Sequence, residues 1–241
     1  VTEALFRLGK RVVVLAPTHQ AVNNALSTVK SLFPQRNVKK YGDELRTESL
    51  DDNIPIITSP LLISKEPPET LIGLTFMAAI HQLMISDRKM LAPHVVLVEE
   101  AGQLPVAQGI CAGLSGAGSV ILFGDDKQMP PIFPRDLSEE PIAVSLFAQL
   151  RASQPDAIDM LNTTYRLNDQ LCESIGNTFY SDNPDSYLTP SQTAKFRLFS
   201  TKPLELSSEK VLREVLSPGN SLVWLRVPSR NCTQLNLNEA R

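Results

Sequence analysis

Residues 95–103 read VVLVEEAGQ, and this stretch decides the fold class. Four apolar residues, three of them β-branched valines, are typical of a strand buried on both faces of a parallel sheet. Glu99 and Glu100 follow at once, so two adjacent carboxylates stand where the strand ends. In open α/β sheets, ligands bind beside the carboxyl ends of the strands. The stretch therefore indicates a polar site there, although a solvated pair of acids is the plainer interpretation of the two glutamates alone.

A second stretch, SVILFGDDKQMPP at residues 119–131, has the same design. Gly124 permits a sharp exit from the strand, and the Gln128 amide can donate one hydrogen bond while accepting another. Such an amide suits the sensing of a phosphate group. A turn followed by two prolines is common by itself. Two strands that end in E-E-A-G-Q and in G-D-x-x-Q-x-P-P form a specific combination, and we interpret them as parts of one site.

The N-terminal strand also leads into a polar segment. Residues 12–26 read VVVLAPTHQAVNNAL, in which Pro17, Thr18 and His19 separate a strand from a helix. The free N–H groups of a helix N-terminus and the Thr18 hydroxyl can bind a phosphate group. An ordinary helix cap is an equally good interpretation of this segment. Residues 73–75, GLT, place Thr75 at the end of another predicted strand. They resemble the arrangement around Thr18 less closely.

Helices and strands alternate over residues 1–150, which predicts an α/β domain with a mostly parallel sheet. Gly9 is expected to end the first helix. Residues 33–68 are polar and contain several prolines, so we expect them to be irregular or an insertion. The predicted helices cover residues 1–8, 21–32 and 78–90, and the predicted strands cover residues 11–16, 71–75, 95–98 and 119–123.

The pattern changes from residue 151, and a second domain is expected over residues 151–241. It begins with a predicted helix at residues 171–179. A loop rich in Pro, Ser and Asp then runs through Pro190, and a strand is expected at residues 221–227.

Composition narrows the possible functions of this chain of 241 residues. A formal net charge of −3 excludes a basic shell that grips nucleic acid by charge alone, so any contact must be local. The three cysteines lie far apart without a C-x-x-C pair, which suggests neither a zinc site nor a disulfide framework. No apolar run approaches the ~20 residues that span a bilayer, and there is no signal-peptide pattern. We therefore expect an intracellular protein, in the cytoplasm or nucleus, without membrane partners.

The segments together resemble the motor of superfamily 1 helicases, in the branch that includes RNA-decay and DNA-replication helicases. Residues 95–103 resemble motif II, the Walker B element, residues 119–131 resemble motif III, and residues 12–26 resemble motif Ia. Residues 160–180, MLNTTYRLNDQLCESIGNTFY, resemble the L-x-x-x-Y-R…F-Y segment that begins the second motor lobe. Residues 236–241, NLNEAR, resemble the segment that opens the next helix of that lobe.

The resemblance implies a RecA-like parallel sheet with flanking helices, with most of a first lobe at residues 1–150 and the beginning of a second at residues 151–241. It implies ATP and Mg²⁺ as cofactors and single-stranded RNA or DNA as the partner. It assigns water activation to Glu100, Mg²⁺ to Glu99 with Asp125, and the γ-phosphate to Gln128 and Arg166. The remaining implied contacts are Gln103 and Tyr165 for the nucleotide, with Tyr165 stacking on adenine, and Pro17, Thr18, His19 and Thr75 for the strand.

Three departures from the family pattern affect these expectations. The family's late second-lobe motifs, which couple ATP to strand movement, are expected beyond Arg241. Motif II usually begins with Asp, whereas Glu99 has one more methylene and holds its carboxylate further from the backbone. The chain also contains no G-x-x-x-x-G-K-[ST], because Ala4 stands at the first glycine position and Arg11 follows Lys10. We therefore expect the phosphate-binding loop upstream of Val1, and no ATP hydrolysis by residues 1–241 alone.

Two functions remain open at this point. One is an internal part of an ATP-dependent helicase or translocase that moves along a single strand. The alternative is a non-catalytic scaffold or nucleic-acid-binding module derived from such a motor, in which Glu99 marks lost metal chemistry. An unrelated P-loop enzyme such as a kinase fits the G-D-x-x-Q-x-P-P and Y-R segments poorly.

Overall fold

The computed structural model describes residues 1–63, 65–85, 93–114, 117–133, 143–181, 188–195 and 222. The chain divides into two compact units, Val1–Ile158 and Asp159–Arg241. The sequence places the boundary between residues 150 and 151, which lies within a helix at Leu146–Ser153 that belongs to the first unit.

In the described residues, the first unit is built on a six-stranded sheet in which every strand pairs in parallel with its neighbours. This arrangement confirms the predicted α/β fold with a parallel sheet. The strand order across the sheet is β3-β2-β4-β1-β5-β6. The strands are β1 (Val12–Ala16), β2 (Val38–Tyr41), β3 (Ile56–Ile57), β4 (Leu71–Thr75), β5 (Val95–Val98) and β6 (Ser119–Leu122).

Helices flank this sheet, and their ends follow local sequence signals. Gly9 has a φ of +63°, a left-handed conformation that favours glycine, and it ends the first helix as predicted. Thr18 caps the second helix, which begins two residues earlier than predicted. The predicted helix at residues 78–90 is described only as far as Ile85. The helices are α1 (Thr2–Arg7), α2 (His19–Leu32), α3 (Pro60–Ile63), α4 (Phe76–Ile85), α5 (Val106–Leu114) and α6 (Leu146–Ser153).

Side chains from the strands form hydrophobic cores on both faces of the sheet. Successive side chains in a strand point to opposite faces, so Val12 and Val14 join one core while Val13 and Leu15 join the other. Strands β1 and β4 are buried along their whole length. Burial on both faces explains why these strands read as unbroken apolar runs in the sequence.

The expectation that residues 33–68 are irregular was wrong. Strand β2 lies within this range and pairs with both β3 and β4 inside the sheet. Its sequence, VKKY, does not look like a buried strand because it holds two lysines. Lys39 forms an ion pair with Glu66 at 2.6 Å, whereas Lys40 is fully buried. Neither pairing nor burial of a lysine could be anticipated from composition.

The described part of the second unit contains a short parallel pair of strands and two helices. Strands β7 (Thr163–Thr164) and β8 (Thr189–Pro190) pair, with helix α7 (Asp169–Phe179) between them and helix α8 (Gln192–Lys195) after them. Helix α7 confirms the predicted helix and begins two residues earlier, because the Asn168 side chain accepts a hydrogen bond from Leu171 N at 3.1 Å. The strand expected at residues 221–227 and the NLNEAR segment lie outside the described residues.

Within the described residues, no helix combines the length and the apolar character needed to cross a membrane.

Candidate functional site at the carboxyl edge of the sheet

The strands of the first unit bring three predicted polar segments to one edge. Register pairs Leu15 with Val98 across β1 and β5, and Val98 with Leu122 across β5 and β6. Because the strands are parallel, the segments that follow β1, β5 and β6 leave the sheet at the same edge, which we call the carboxyl edge. Those segments are residues 17–19, 99–103 and 123–128.

Glu99 and Glu100 occupy different environments at this edge. Glu99 N donates a hydrogen bond to Leu15 O at 2.8 Å and continues the strand ladder, so the Glu99 side chain is half-buried. Burial raises the pKa of the Glu99 carboxyl, and the neighbouring charge of Glu100 raises it further. Glu100 is exposed. In the described part of the chain, no hydrogen bond or ion pair neutralises either carboxylate.

Glu100 has a backbone conformation that is unusual for its residue type. Its φ of 55° and ψ of 39° lie in the left-handed region, which non-glycine residues adopt at some cost in free energy. Such strain is concentrated at functional sites, where the surrounding structure holds it in place. At this position the strain turns the chain sharply from β5 into a 3₁₀ turn at Ala101–Gln103. Gln103 lies half-buried in that turn, and its N–H donates to Glu100 O at 2.9 Å.

The turn after β5 and the turn after β6 touch through their main chains. Ala101 N donates a hydrogen bond to Phe123 O at 2.8 Å. A Cβ atom added to Gly102 would lie 2.4 Å from Asp125 O, and one added to Gly124 would lie 2.7 Å from Gly102 N. Two glycines therefore allow the motif II and motif III segments to meet with no side chain between them.

Asp125 organises the turn that holds Gln128. One oxygen of the Asp125 carboxylate accepts from Lys127 N at 2.9 Å, and the other accepts from Gln128 Nε2 at 3.0 Å. The Asp125 carboxylate thus orients the amide of the exposed Gln128. Asp126 forms an ion pair with Arg151 of helix α6, which fastens the same turn to the body of the unit.

The predicted strand-binding segment sits at the start of helix α2. Thr18 is exposed, and its Oγ1 accepts a hydrogen bond from Ala21 N at 3.2 Å. Pro17 and His19 are half-buried. The Nδ1 atom of His19 is buried and has no hydrogen-bond partner among the described residues. Burial lowers the pKa of His19, and the positive charges of Lys40 and Arg46 lower it further.

Thr75 is less available than the residues of the motif Ia segment. It is buried at the end of β4, and its Oγ1 accepts a hydrogen bond from Ala78 N at 3.2 Å, at the start of α4. The hydroxyl that the sequence assigned to a nucleic-acid contact is thus part of a helix cap.

Tyr165 and Arg166 lie in the second unit, directly after β7. The Tyr165 side chain is 68% exposed, so its ring is free to stack on a planar group. Arg166 is also exposed, and its backbone N–H donates to Thr164 Oγ1 at 3.3 Å. The edge of the first unit gathers the other predicted residues, whereas these two belong to a separate compact unit.

Three residues near the site carry polar contacts that the sequence did not single out. Arg151 binds Asp126 from helix α6, and the buried side chains of Asn23 and Lys40 bind the main chain of residues 46–48. The burial of Lys40 cannot be recognised from the sequence, because Lys40 follows another lysine in a short strand. Asn23 follows His19 by four residues, and that helical spacing is the one available signal.

No protein-family model matches the chain. The DNA replication ATP-dependent helicase/nuclease DNA2 of Xenopus laevis is 25% identical over 237 residues, covering 92% of this chain and 22% of that protein. The Schizosaccharomyces pombe protein described as DNA replication ATP-dependent helicase/nuclease dna2 is 32% identical over 135 residues, 53% of this chain and 10% of its own. The Arabidopsis thaliana helicase/nuclease JHS1 is 29% identical over 150 residues, 61% of this chain and 10% of its own.

The chain therefore spans about a fifth or less of the length of these curated relatives. Among solved structures, the helicase of PRRSV is 15% identical with a TM-score of 0.39, over 78% of this chain and 32% of that one. The series of motifs and the similarity to these three relatives at low identity agree with a region that resembles superfamily 1 helicases.

Proposed function

We propose that this chain forms part of an ATP-dependent motor that couples ATP hydrolysis to movement along a single nucleic-acid strand. The observation that carries the proposal is the main-chain contact between the segments after β5 and β6. Through Gly102 and Gly124, this contact holds the acidic pair beside the turn that presents Gln128. Phosphoryl transfer needs such fixed charges and amides, because its catalysis depends mostly on positioning and charge stabilisation.

The acidic pair fits the binding of a divalent cation. Glu99 and Glu100 are adjacent carboxylates with no cationic partner in the described residues, and burial already raises the pKa of Glu99. Oxygen ligands are those that Mg²⁺ prefers, and the cation would neutralise developing phosphate charge. In this proposal Glu99 holds the cation, while the exposed Glu100 accepts a proton from the attacking water. Gln128, oriented by Asp125, donates to the γ-phosphate.

The strand lies across the start of α2 in this proposal, with single-stranded DNA as the preferred partner. The exposed Thr18 and the N–H groups of the first turn of α2 offer donors to backbone phosphates, which carry no sequence information. The names of the three relatives, all DNA replication helicase/nucleases, support DNA over RNA and a place of action inside the cell. Binding is then expected to be indifferent to base sequence and to weaken with salt.

The proposal is tested by Glu100→Gln in the full-length protein. The amide keeps the size of the side chain but cannot accept the proton, so turnover is expected to fall roughly 10²-fold or more. ATP affinity, measured with a fluorescent analogue, should stay nearly unchanged, because Glu100 acts on water. Glu44→Gln makes the same chemical change at an exposed site in the same unit and serves as the control. Turnover by Glu100→Gln equal to that of the control would contradict the proposed role.

A further inference from the structure

Lys40 on strand β2 is the most unusual buried group of the first unit. Its side chain is fully buried, and its ammonium donates a hydrogen bond to the main-chain carbonyl of Arg46. Burial lowers the pKa of Lys40, although the nearby charges of Asp43 and Glu48 favour its charged form. Removing an ammonium from water has a large free-energy cost, and an apolar side chain of similar size is often at least as stabilising. Stability alone therefore does not account for a lysine at this position.

The Lys40 ammonium takes part in a set of contacts that anchors residues 43–51, which we call the 43–51 segment. Asn23 Nδ2 donates to the same Arg46 carbonyl at 3.1 Å and also to Glu48 O at 2.9 Å. One turn further along α2, Ser27 Oγ donates to Ser49 O at 2.9 Å and accepts from Asp51 N at 2.8 Å. The main chain of a surface segment is thus bound at several points to α2 and β2.

This network lies directly behind the start of α2. Asn23 is fully buried and one turn beyond His19 on the same helix. At the end of β2, a Cβ atom added to Gly42 would lie 3.9 Å from Cε1 of His19, so the strand end packs against the imidazole. The contacts of Lys40 and Asn23 therefore fix α2 relative to β2 where the proposed strand contacts begin.

We infer that Lys40 is a positioning residue for nucleic-acid binding: together with Asn23, it holds the first turn of α2 and His19 in the orientation that receives a backbone phosphate. This inference rests on the proposed function. It assigns to Lys40 no contact with the strand itself, because the side chain is shielded from solvent. In some other proteins, buried polar groups give a unique geometry at the expense of stability.

Lys40→Met tests the inference, with Lys39→Met as the matched control. Both substitutions remove one positive charge from β2, but Lys39 points to the opposite face and pairs with Glu66. The affinity of the chain for a labelled oligothymidylate of about 15 nucleotides is measured by fluorescence anisotropy. We expect Lys40→Met to lose about tenfold in affinity, the scale of one well-placed contact, without a lower Tm. Lys39→Met should lower Tm yet bind within about twofold of the unmodified chain.

A spectroscopic measurement tests whether Lys40 acts on His19. His19 is one of three histidines, so its imidazole proton can be followed by NMR during a pH titration. Lys40→Met should raise the pKa of His19, because a nearby positive charge is lost. Lys39→Met should leave the titration unchanged. Lys40→Met with affinity within twofold of the unmodified chain, or with an unshifted His19 titration, overturns the inference.

The other possible outcomes of these experiments also support or overturn the inference. Should Lys40→Met fail to fold, Ser27→Ala replaces it, because it frees the far end of the 43–51 segment without altering a buried charge. A several-fold loss of affinity in Ser27→Ala supports the inference, and unchanged affinity overturns it. If the unmodified chain binds no strand at all, the proposed function fails. If Thr18→Ala weakens binding while Lys40→Met does not, the inference about Lys40 fails and the proposed function stands.

Discussion

At the scale of single residues, the two adjacent glutamates are held in ways that suit different tasks. Glu99 continues the β5 ladder and is half-buried, whereas Glu100 leaves the ladder in a left-handed conformation and faces solvent. The first arrangement raises the free energy of an ionised carboxylate unless a cation is near. The second keeps a carboxylate accessible to water. One pair of identical side chains can therefore perform two roles because the backbone separates their environments.

The burial of Glu99 predicts a stability that depends on pH. Its folded-state pKa is raised above the ordinary value near 4.5, so ionisation of Glu99 lowers stability as the pH rises through the folded pKa. Glu99→Gln removes that penalty and should raise Tm at about pH 8 in the absence of divalent cations. The gain should shrink toward about pH 4, where Glu99 is mostly protonated in both states. Calorimetry at several pH values measures this difference.

Glu44→Gln is the control for this experiment, since Glu44 is exposed in the same unit. A Glu99→Gln gain that is the same at every pH, or that appears equally in Glu44→Gln, would refute the link to burial.

The sequence could identify the residues that directly follow apolar strands, because runs of valine and leucine predict where those strands lie. Glu99, Glu100 and Gln128 were found in this way, and the structure places all three at one edge. The role of Lys40 could not be predicted, because the sequence does not distinguish a buried lysine from a solvated one. Its significance depends on Asn23 and on the carbonyl of Arg46, which lie elsewhere in the sequence.

At the scale of elements, the two turns after β5 and β6 behave as one unit. The sequence suggested that Gly124 is needed for a sharp exit from the strand. The structure instead finds positive φ angles at Gly9 and Gly42, and gives Gly124 a close contact with Gly102 N. The requirement at Gly124 is therefore the absence of a side chain. This distinction could not be drawn from the sequence, because both reasons select glycine.

Gly124→Ala should separate the two turns. The added Cβ would lie 2.7 Å from Gly102 N, a backbone atom that cannot move without shifting the turn after β5. Overpacking of this kind costs about 1–3 kcal/mol, and each kcal/mol lowers Tm by about 2–4 °C in a chain of this size. In the full-length protein, ATP turnover should fall more than nucleotide affinity. Thermal unfolding and steady-state kinetics together measure both effects.

Gly118→Ala provides the control at the other end of β6, where an added Cβ would lie 3.5 Å from His94 O in ordinary contact. A Gly124→Ala variant as stable and active as Gly118→Ala would show that the turns need not touch.

Strand β2 is a whole element that the hydrophobic pattern of the sequence did not predict. A strand buried on both faces was expected to be apolar, and residues 33–68 were therefore interpreted as irregular. Strand β2 satisfies its two lysines by different means, an ion pair with Glu66 on one face and a carbonyl of the 43–51 segment on the other. The prediction of the fold class was nevertheless correct, because most of the remaining strands are apolar runs that are typical of a parallel sheet.

At the scale of the whole molecule, the sheet of the first unit is asymmetric. Strand β1 in its interior is wholly buried, whereas β6 is the outermost strand on its side among the described residues, and its Ser119 and Val120 are exposed. Edge strands present unpaired N–H and C=O groups that readily accept another strand. A further parallel strand paired with β6 would end at the carboxyl edge, beside the turn that holds Gln128. That place is suited to a segment that binds phosphate.

We predict that residues 1–241 alone do not hydrolyse ATP, because the sequence contains no G-x-x-x-x-G-K-[ST] to cradle the β- and γ-phosphates. Acidic side chains cannot replace that cradle, since they repel phosphate unless a cation lies between. Phosphate release from Mg-ATP by the purified chain should match that of its Glu100→Gln variant. A longer form of the protein that carries such a phosphate-binding loop should turn over ATP, and its β6 amides should exchange hydrogen more slowly than those of residues 1–241 alone. Turnover by residues 1–241 that Glu100→Gln abolishes would mean that another segment of this chain binds the phosphates.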